Sequence, residues 1–223
     1  MDSIFRGELS SLRGRVLAWL DGLLVDHGLL RLGWRNRGVV CPGRLYRSSH
    51  PLPWQLAAQA KRLGLRTVIN LRGQTGNGAD ALSREAAARL GLTLIDLPLR
   101  SREAPSREQV LKLTEAFRTM AEPALVHCKS GADRAGFAAG LFLLLNGGTA
   151  RDALAQLSWR FGHLTRSRAG ILRAFFLAYA REAEGWKPFL DWLREDYDPV
   201  RLRQEHSSHR FSDLLNDRVF ARE

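Results

Sequence analysis

Pro123-Ala124-Leu125-Val126-His127-Cys128-Lys129-Ser130-Gly131-Ala132-Asp133-Arg134-Ala135-Gly136-Phe137-Ala138-Ala139-Gly140-Leu141-Phe142-Leu143-Leu144-Leu145 is the stretch on which the fold turns. Residues 123–126 read as a short buried strand and residues 137–145 as an apolar helix, so the ten residues from His127 to Gly136 form a strand-to-helix loop. Such a loop is built to hold a phosphate. Successive backbone N–H groups point at one centre, and the start of the next helix adds unsatisfied donors and the positive end of its dipole. The same field favours the thiolate of a cysteine at the loop's base, the nucleophilic form. Arg134, six positions after Cys128, is placed to bring its planar fork around the loop onto two phosphate oxygens.

Cysteine, five residues and arginine is a weak pattern by itself, since Cys41-Pro42-Gly43-Arg44-Leu45-Tyr46-Arg47 satisfies it too. There Pro42 removes an N–H, no glycine matches Gly131, and no helix pattern starts at the arginine. The Cys128 copy has the strand, His127, Gly131, the helix start and a small Gly136 for close approach.

Residues 127–136 resemble the active-site loop of the cysteine-dependent tyrosine and dual-specificity phosphatases. Gly43-Arg44-Leu45-Tyr46-Arg47-Ser48-Ser49, followed by Thr67-Val68-Ile69-Asn70-Leu71-Arg72, resembles their compact branch in bacteria, fungi and plants. The resemblance covers residues 40–165. Lys129 is similar to the residue in lipid-directed, phosphatase-and-tensin-type members, and Asp133 to the aspartate of myotubularins and related bacterial enzymes. Ala135 departs from the serine or threonine of many relatives, whose hydroxyl assists the second step.

The 223 residues, 45% hydrophobic and without low-complexity runs, fit one domain. We expect a helical extension over 1–38, a catalytic core over 39–165 and a helical cover over 166–223. Thirty-four Lys and Arg against 23 Asp and Glu give a net charge of +11, suited to acidic partners. Two cysteines, one with a chemical role, imply a reducing compartment, with cytoplasm as the default. Residues 16–26 contain Asp21 and Asp26, are too short to span a bilayer and lack a cleavage site, so neither a signal peptide nor a membrane span is expected.

Over residues 8–26, Leu12, Val16, Leu20, Leu23 and Leu24 recur at helical spacing opposite Arg13 and Arg15. The leading reading is a helix whose apolar face packs on the domain's own sheet; the alternative is a basic membrane-surface helix carrying Trp19. Strands are expected within 39–48, at 67–71, at 92–97 and before Cys128, separated by helices from Pro53, over 79–90 and from a Ser106 cap. This alternation predicts an α/β fold, a mainly parallel central sheet flanked by helices, with a helical C-terminal half. Helices are expected over 149–161, 168–183, 186–195 and 212–221. Trp192, Tyr197, Arg201, Arg203 and Phe211 read as part of the covering helices, with docking to a membrane or partner as the alternative.

Ligands of such sheets bind at the carboxyl ends of the strands, so Arg72, Arg100, Arg102 and Cys128 should share a rim. The candidate catalytic residues are Cys128 as nucleophile, Arg134 as oxyanion clamp and Asp133 as general acid. Glu103, at the tip of the loop where dual-specificity phosphatases keep a mobile aspartate, is the reserve acid. Lys129, Ser130, Gly131, Ala132, Arg72 and Arg102 are candidates for holding phosphate, with His127 and Gly136 in support. Neither metal nor cofactor is required. The expected activity is hydrolysis of phosphate monoesters through phosphocysteine, on a lipid headgroup, inositol or sugar phosphate; a phosphoprotein phosphatase and an impaired phospho-ligand binding module are the alternatives. The expected partners are that substrate and, peripherally, an anionic membrane; no specific nucleic acid is expected, because aromatic residues are not interleaved with a basic patch.

Overall fold

The computed structural model describes residues 3–5 and 7–207. Short β-branched and apolar runs form five strands, β1 (Gly38–Cys41), β2 (Leu45–Ser49), β3 (Thr67–Asn70), β4 (Thr93–Asp96) and β5 (Ala124–Cys128), in one sheet ordered β1-β2-β5-β3-β4. β1 and β2 form an antiparallel hairpin, and the other neighbours run parallel. β5 lies centrally. Ser49 sits opposite Cys128 and Asn70 opposite His127, so three strands end at one rim.

Side chains alternate across this sheet, as the two-residue strand period demands. Val68 and Leu125 bury against Leu56 of α3 (Pro53–Leu63) and Ala86 and Ala87 of α4 (Gly78–Arg89). Ile69 and Val126 face the larger core beneath α5 (Arg107–Thr119), α6 (Asp133–Leu145) and α8 (Gly170–Glu182). Helix boundaries follow local chemistry: Pro53 opens α3, Gly64 ends it at φ 62°, and Ser106 accepts from the Gln109 N–H at 3.1 Å to cap α5. The α/β architecture with a mainly parallel sheet is thus as expected.

The C-terminal half is helical. The expected helix 149–161 is divided into α7 (Ala150–Ala155) and a 3₁₀ turn, Trp159–Phe161, because Ser158 is extended. α8, α9 (Phe189–Glu195) and a helical segment over 199–207 follow. Trp192 and Tyr197 are fully buried beside Phe175, and Tyr197 Oη donates to the Pro105 carbonyl at 2.7 Å, so these aromatics serve as cover rather than as an exposed dock. Phe211 and the expected helix 212–221 lie outside the described residues.

The N-terminal helix corrects the leading reading. α1 (Leu12–Leu20) and the π turn Asp21–Val25 pack beside α4, with α2 (Leu30–Gly33) following, and the leucine face points outward: Leu12, Val16, Leu20 and Leu24 are exposed. Small residues decide this. A Cβ on Gly78 would lie 2.4 Å from the Ala18 carbonyl oxygen, and Gly22 sits on Ala79, so the backbones approach where no leucine fits. Arg15 turns inward to Glu85 at 2.6 Å. No helix among the described residues is long and apolar enough to cross a membrane.

Candidate active site

β5 delivers Cys128 to the rim, where the chain turns through residues 129–132 into α6. Gly131 makes the turn at φ 76°, and its missing Cβ lets the loop lie on β2: that atom would sit 2.6 Å from Ser49 N. The Gly131 N–H in turn faces the Cys128 Sγ at 3.3 Å. Ala132 occupies the N-cap of α6 and offers no side-chain acceptor, so the first amides of that helix keep their donors for an incoming anion.

Arg134, in the first turn of α6, donates from Nη1 to the carbonyls of Leu71 and Leu99, both at 3.3 Å. One corner of the fork is thereby fixed to the segments that follow β3 and β4, and its other nitrogens make no bond to any described residue. Beneath the loop lies Arg47, a residue quoted in the sequence only as part of a motif. Its buried guanidinium donates to the carbonyls of Gly131 (2.6 Å), Ala132 (3.1 Å) and Gln156 (2.6 Å) and stacks on Phe161 at 3.9 Å. Burial lowers its pKa to about 10. Gly136 is small for the same reason: a Cβ there would meet Gln156 O at 2.6 Å and Arg47 Nη2 at 3.1 Å.

Asp133 Oδ1 lies 2.8 Å from Nδ1 of His163, whose side chain is fully buried. Asp133 itself is partly open to solvent and borders a cavity of about 380 Å³ with Ser101, Arg102, Ser167 and Arg168. Glu103, the reserve acid, is held by Arg100 at 2.9 Å on the exposed surface.

A family model described as a DSP-PTPase phosphatase fused to NAD+ kinase matches residues 56–160. TpbA from P. aeruginosa superposes with a TM-score of 0.51 at 25% identity, over 72% of this chain and 89% of that one. The matched region is similar to the cysteine-dependent tyrosine and dual-specificity phosphatases, and the activity these comparisons support is that of a phosphatase. A putative phosphatase (DUF442) from Shewanella putrefaciens CN-32 shares the fold, with a TM-score of 0.51 at 20% identity over 77% and 98% of the two chains. So does the Siw14 catalytic core, with 0.52 at 17% over 69% and 95%. No curated protein sequence matches.

The phosphatase loop is braced by residues that spacing does not reveal. Asp26, buried after the π turn, takes both Arg72 guanidinium nitrogens, at 2.6 and 2.8 Å, and lies 3.5 Å from the Lys129 ammonium. Arg72 Nη1 also donates to His50 Nδ1 at 2.6 Å, and the His50 ring stacks on His127 at 4.8 Å. Arg72 is therefore engaged as a support, and Lys129 shares the same carboxylate. Asn36 Nδ2 donates to the carbonyls of Ser130 and Phe161, both at 2.9 Å, joining the N-terminal segment to the loop. Ser130 Oγ accepts from the Ala132 N–H at 3.3 Å within the loop. No metal-ligand cluster occurs among the described residues.

Proposed function

We propose that this phosphatase hydrolyses phosphate monoesters through a phosphocysteine on Cys128. Sγ attacks phosphorus as the ester P–O bond breaks; the amides of residues 129–134 and the Arg134 fork hold the three non-bridging oxygens. Asp133 gives its proton to the departing alcohol oxygen. In the second step Asp133 takes a proton from water as the water oxygen forms its bond to phosphorus, releasing inorganic phosphate and the thiolate. His163 positions the Asp133 carboxyl and carries no bond to substrate.

The observation that carries this reading is the meeting of a buried Cys128, the Gly131 amide facing its sulfur and an Arg134 fork fixed at one corner. The substrate class we favour is a polyanionic small molecule or lipid headgroup. Its support is the cavity of about 380 Å³ beside Asp133, lined by Arg102 and Arg168. The exposed leucine row of α1, with Arg13 beside it, favours an anionic membrane as the place where a lipid substrate is met.

Rapid acid quench after mixing excess enzyme with an aryl phosphate, followed by mass spectrometry, tests the reaction path. A phosphate adduct on the peptide carrying Cys128 is expected. Turnover without any adduct on that peptide at the shortest mixing times would overturn it.

A further inference from the structure

Several arginines of the molecule are paired with carboxylates. Arg72 is neutralised by Asp26, Arg84 by Asp80 and Asp96, Arg100 by Glu103 and Arg201 by Glu182. Arg102, Arg168 and Arg203 are exposed and make no ion pair among the described residues. All three line one cavity of about 500 Å³, with Glu103 on its wall. Arg102 and Arg168 also line the 380 Å³ cavity that reaches Asp133. Among the described residues, positive charge without an ion pair thus extends from Asp133 toward the C-terminal cover.

The walls of this basin are held together. Tyr197 Oη donates to Pro105 O at 2.7 Å, and Arg107 Nη2 donates to Tyr197 O at 2.6 Å, tying the segment after Arg102 to the one before Arg203. Arg168 lies two residues before the buried start of α8 at Gly170. Arg102, Arg168 and Arg203 line this cavity while its Glu103 is taken by Arg100, and an anion between the guanidinium groups reduces their mutual repulsion. Guanidinium is suited to phosphate because its paired N–H groups match two phosphate oxygens.

We propose that Arg102, Arg168 and Arg203 form a second phosphate subsite, so that the preferred substrate carries one phosphate for Cys128 and at least one more for this basin. The inference rests on the phosphatase reading above. It names the shared chemistry of soluble bisphosphorylated metabolites and bisphosphorylated lipid headgroups.

The test uses the full chain, with Arg168→Ala and Arg203→Ala, and three substrates: an aryl monophosphate, a soluble inositol bisphosphate and a bisphosphorylated phosphoinositide in detergent micelles. The ratio of kcat/KM for bisphosphate over monophosphate is expected to fall about tenfold in each variant, through KM, as loss of one charge-assisted contact implies. A fall confined to the micellar arm assigns the basin to a lipid headgroup, and a fall in both assigns it to either source. Ratios within about twofold of wild type in both arms would overturn the subsite. Binding of inositol bisphosphate to Cys128→Ser protein, with and without each arginine change, separates the two claims. Arginine-dependent binding without turnover would keep the subsite and remove the phosphatase reading; binding indifferent to both arginines would remove the subsite alone.

Discussion

Gly131→Ala puts the loop geometry at risk most sharply. At φ 76° a Cβ strains the backbone by about 1–2 kcal/mol. That atom would also stand 2.6 Å from Ser49 N and 2.7 Å from the Ser48 carbonyl carbon, both backbone atoms of a central strand. Overpacking of this kind adds about 1–3 kcal/mol. The sum, about 2–5 kcal/mol, corresponds to a fall in Tm of about 5–15 °C for a chain of this size. Gly147→Ala is the control, because φ there is 83° with nothing within 4 Å, so only the backbone strain applies. Relief of the clash must lift the loop from β2 and move the amides, and a displacement near 1 Å costs about 10²-fold in rate. Calorimetry and kcat/KM on an aryl phosphate measure both effects. If Gly131→Ala melts with Gly147→Ala and keeps kcat/KM within about twofold of wild type, the packing of the loop on β2 and its link to activity are refuted.

Two further expectations concern the residues around the loop. Arg47→Met leaves the Gly131, Ala132 and Gln156 carbonyls without their donor and should lower stability by about 2–4 kcal/mol by denaturant titration. Arg47 has a folded pKa of about 10, below its unfolded value, so the unfolded chain binds more protons above that pH. Wild-type stability should therefore gain a rising contribution as pH climbs through 10, and Arg47→Met should lack it. Asp133→Asn should reduce kcat about 10²-fold or more on alkyl phosphates and much less on aryl phosphates, whose leaving oxygen needs little protonation. His163→Gln, which removes the 2.8 Å partner of Asp133, should lower kcat on alkyl phosphates by a smaller factor than Asp133→Asn and leave kcat on aryl phosphates near wild type.

The parts of this molecule legible in its sequence are the local ones. Cys128, Gly131 and Arg134 lie within seven residues of strand, turn and helix, each with its own pattern, and the alternation at Val68–Ile69 and Leu125–Val126 carries the sheet. The partners that hold the site are distant in the chain: Arg47 reaches Gly131 across 84 residues, Asp26 reaches Arg72 across 46 and His163 reaches Asp133 across 30. No spacing rule encodes such pairs, and a lone buried arginine, aspartate or histidine looks like any other until the fold closes. Hydrophobic periodicity likewise shows where the α1 leucines lie without showing which side packs. Ala18, Gly22 and Gly78 made that choice by allowing backbone contact, a signal carried by small residues rather than by large ones.

The central claim is the covalent role of Cys128. Phosphate release by wild type and Cys128→Ser, in chelator, should be measured across an aryl phosphate, phosphopeptides, inositol phosphates, phosphoinositides and sugar phosphates. Wild type should release phosphate, best from a polyphosphorylated small molecule or headgroup, and the serine variant should fall to background while still binding that substrate. Turnover that survives in Cys128→Ser would contradict the mechanism, and a wild-type chain that binds phosphate ligands but hydrolyses none would make the loop a binding module.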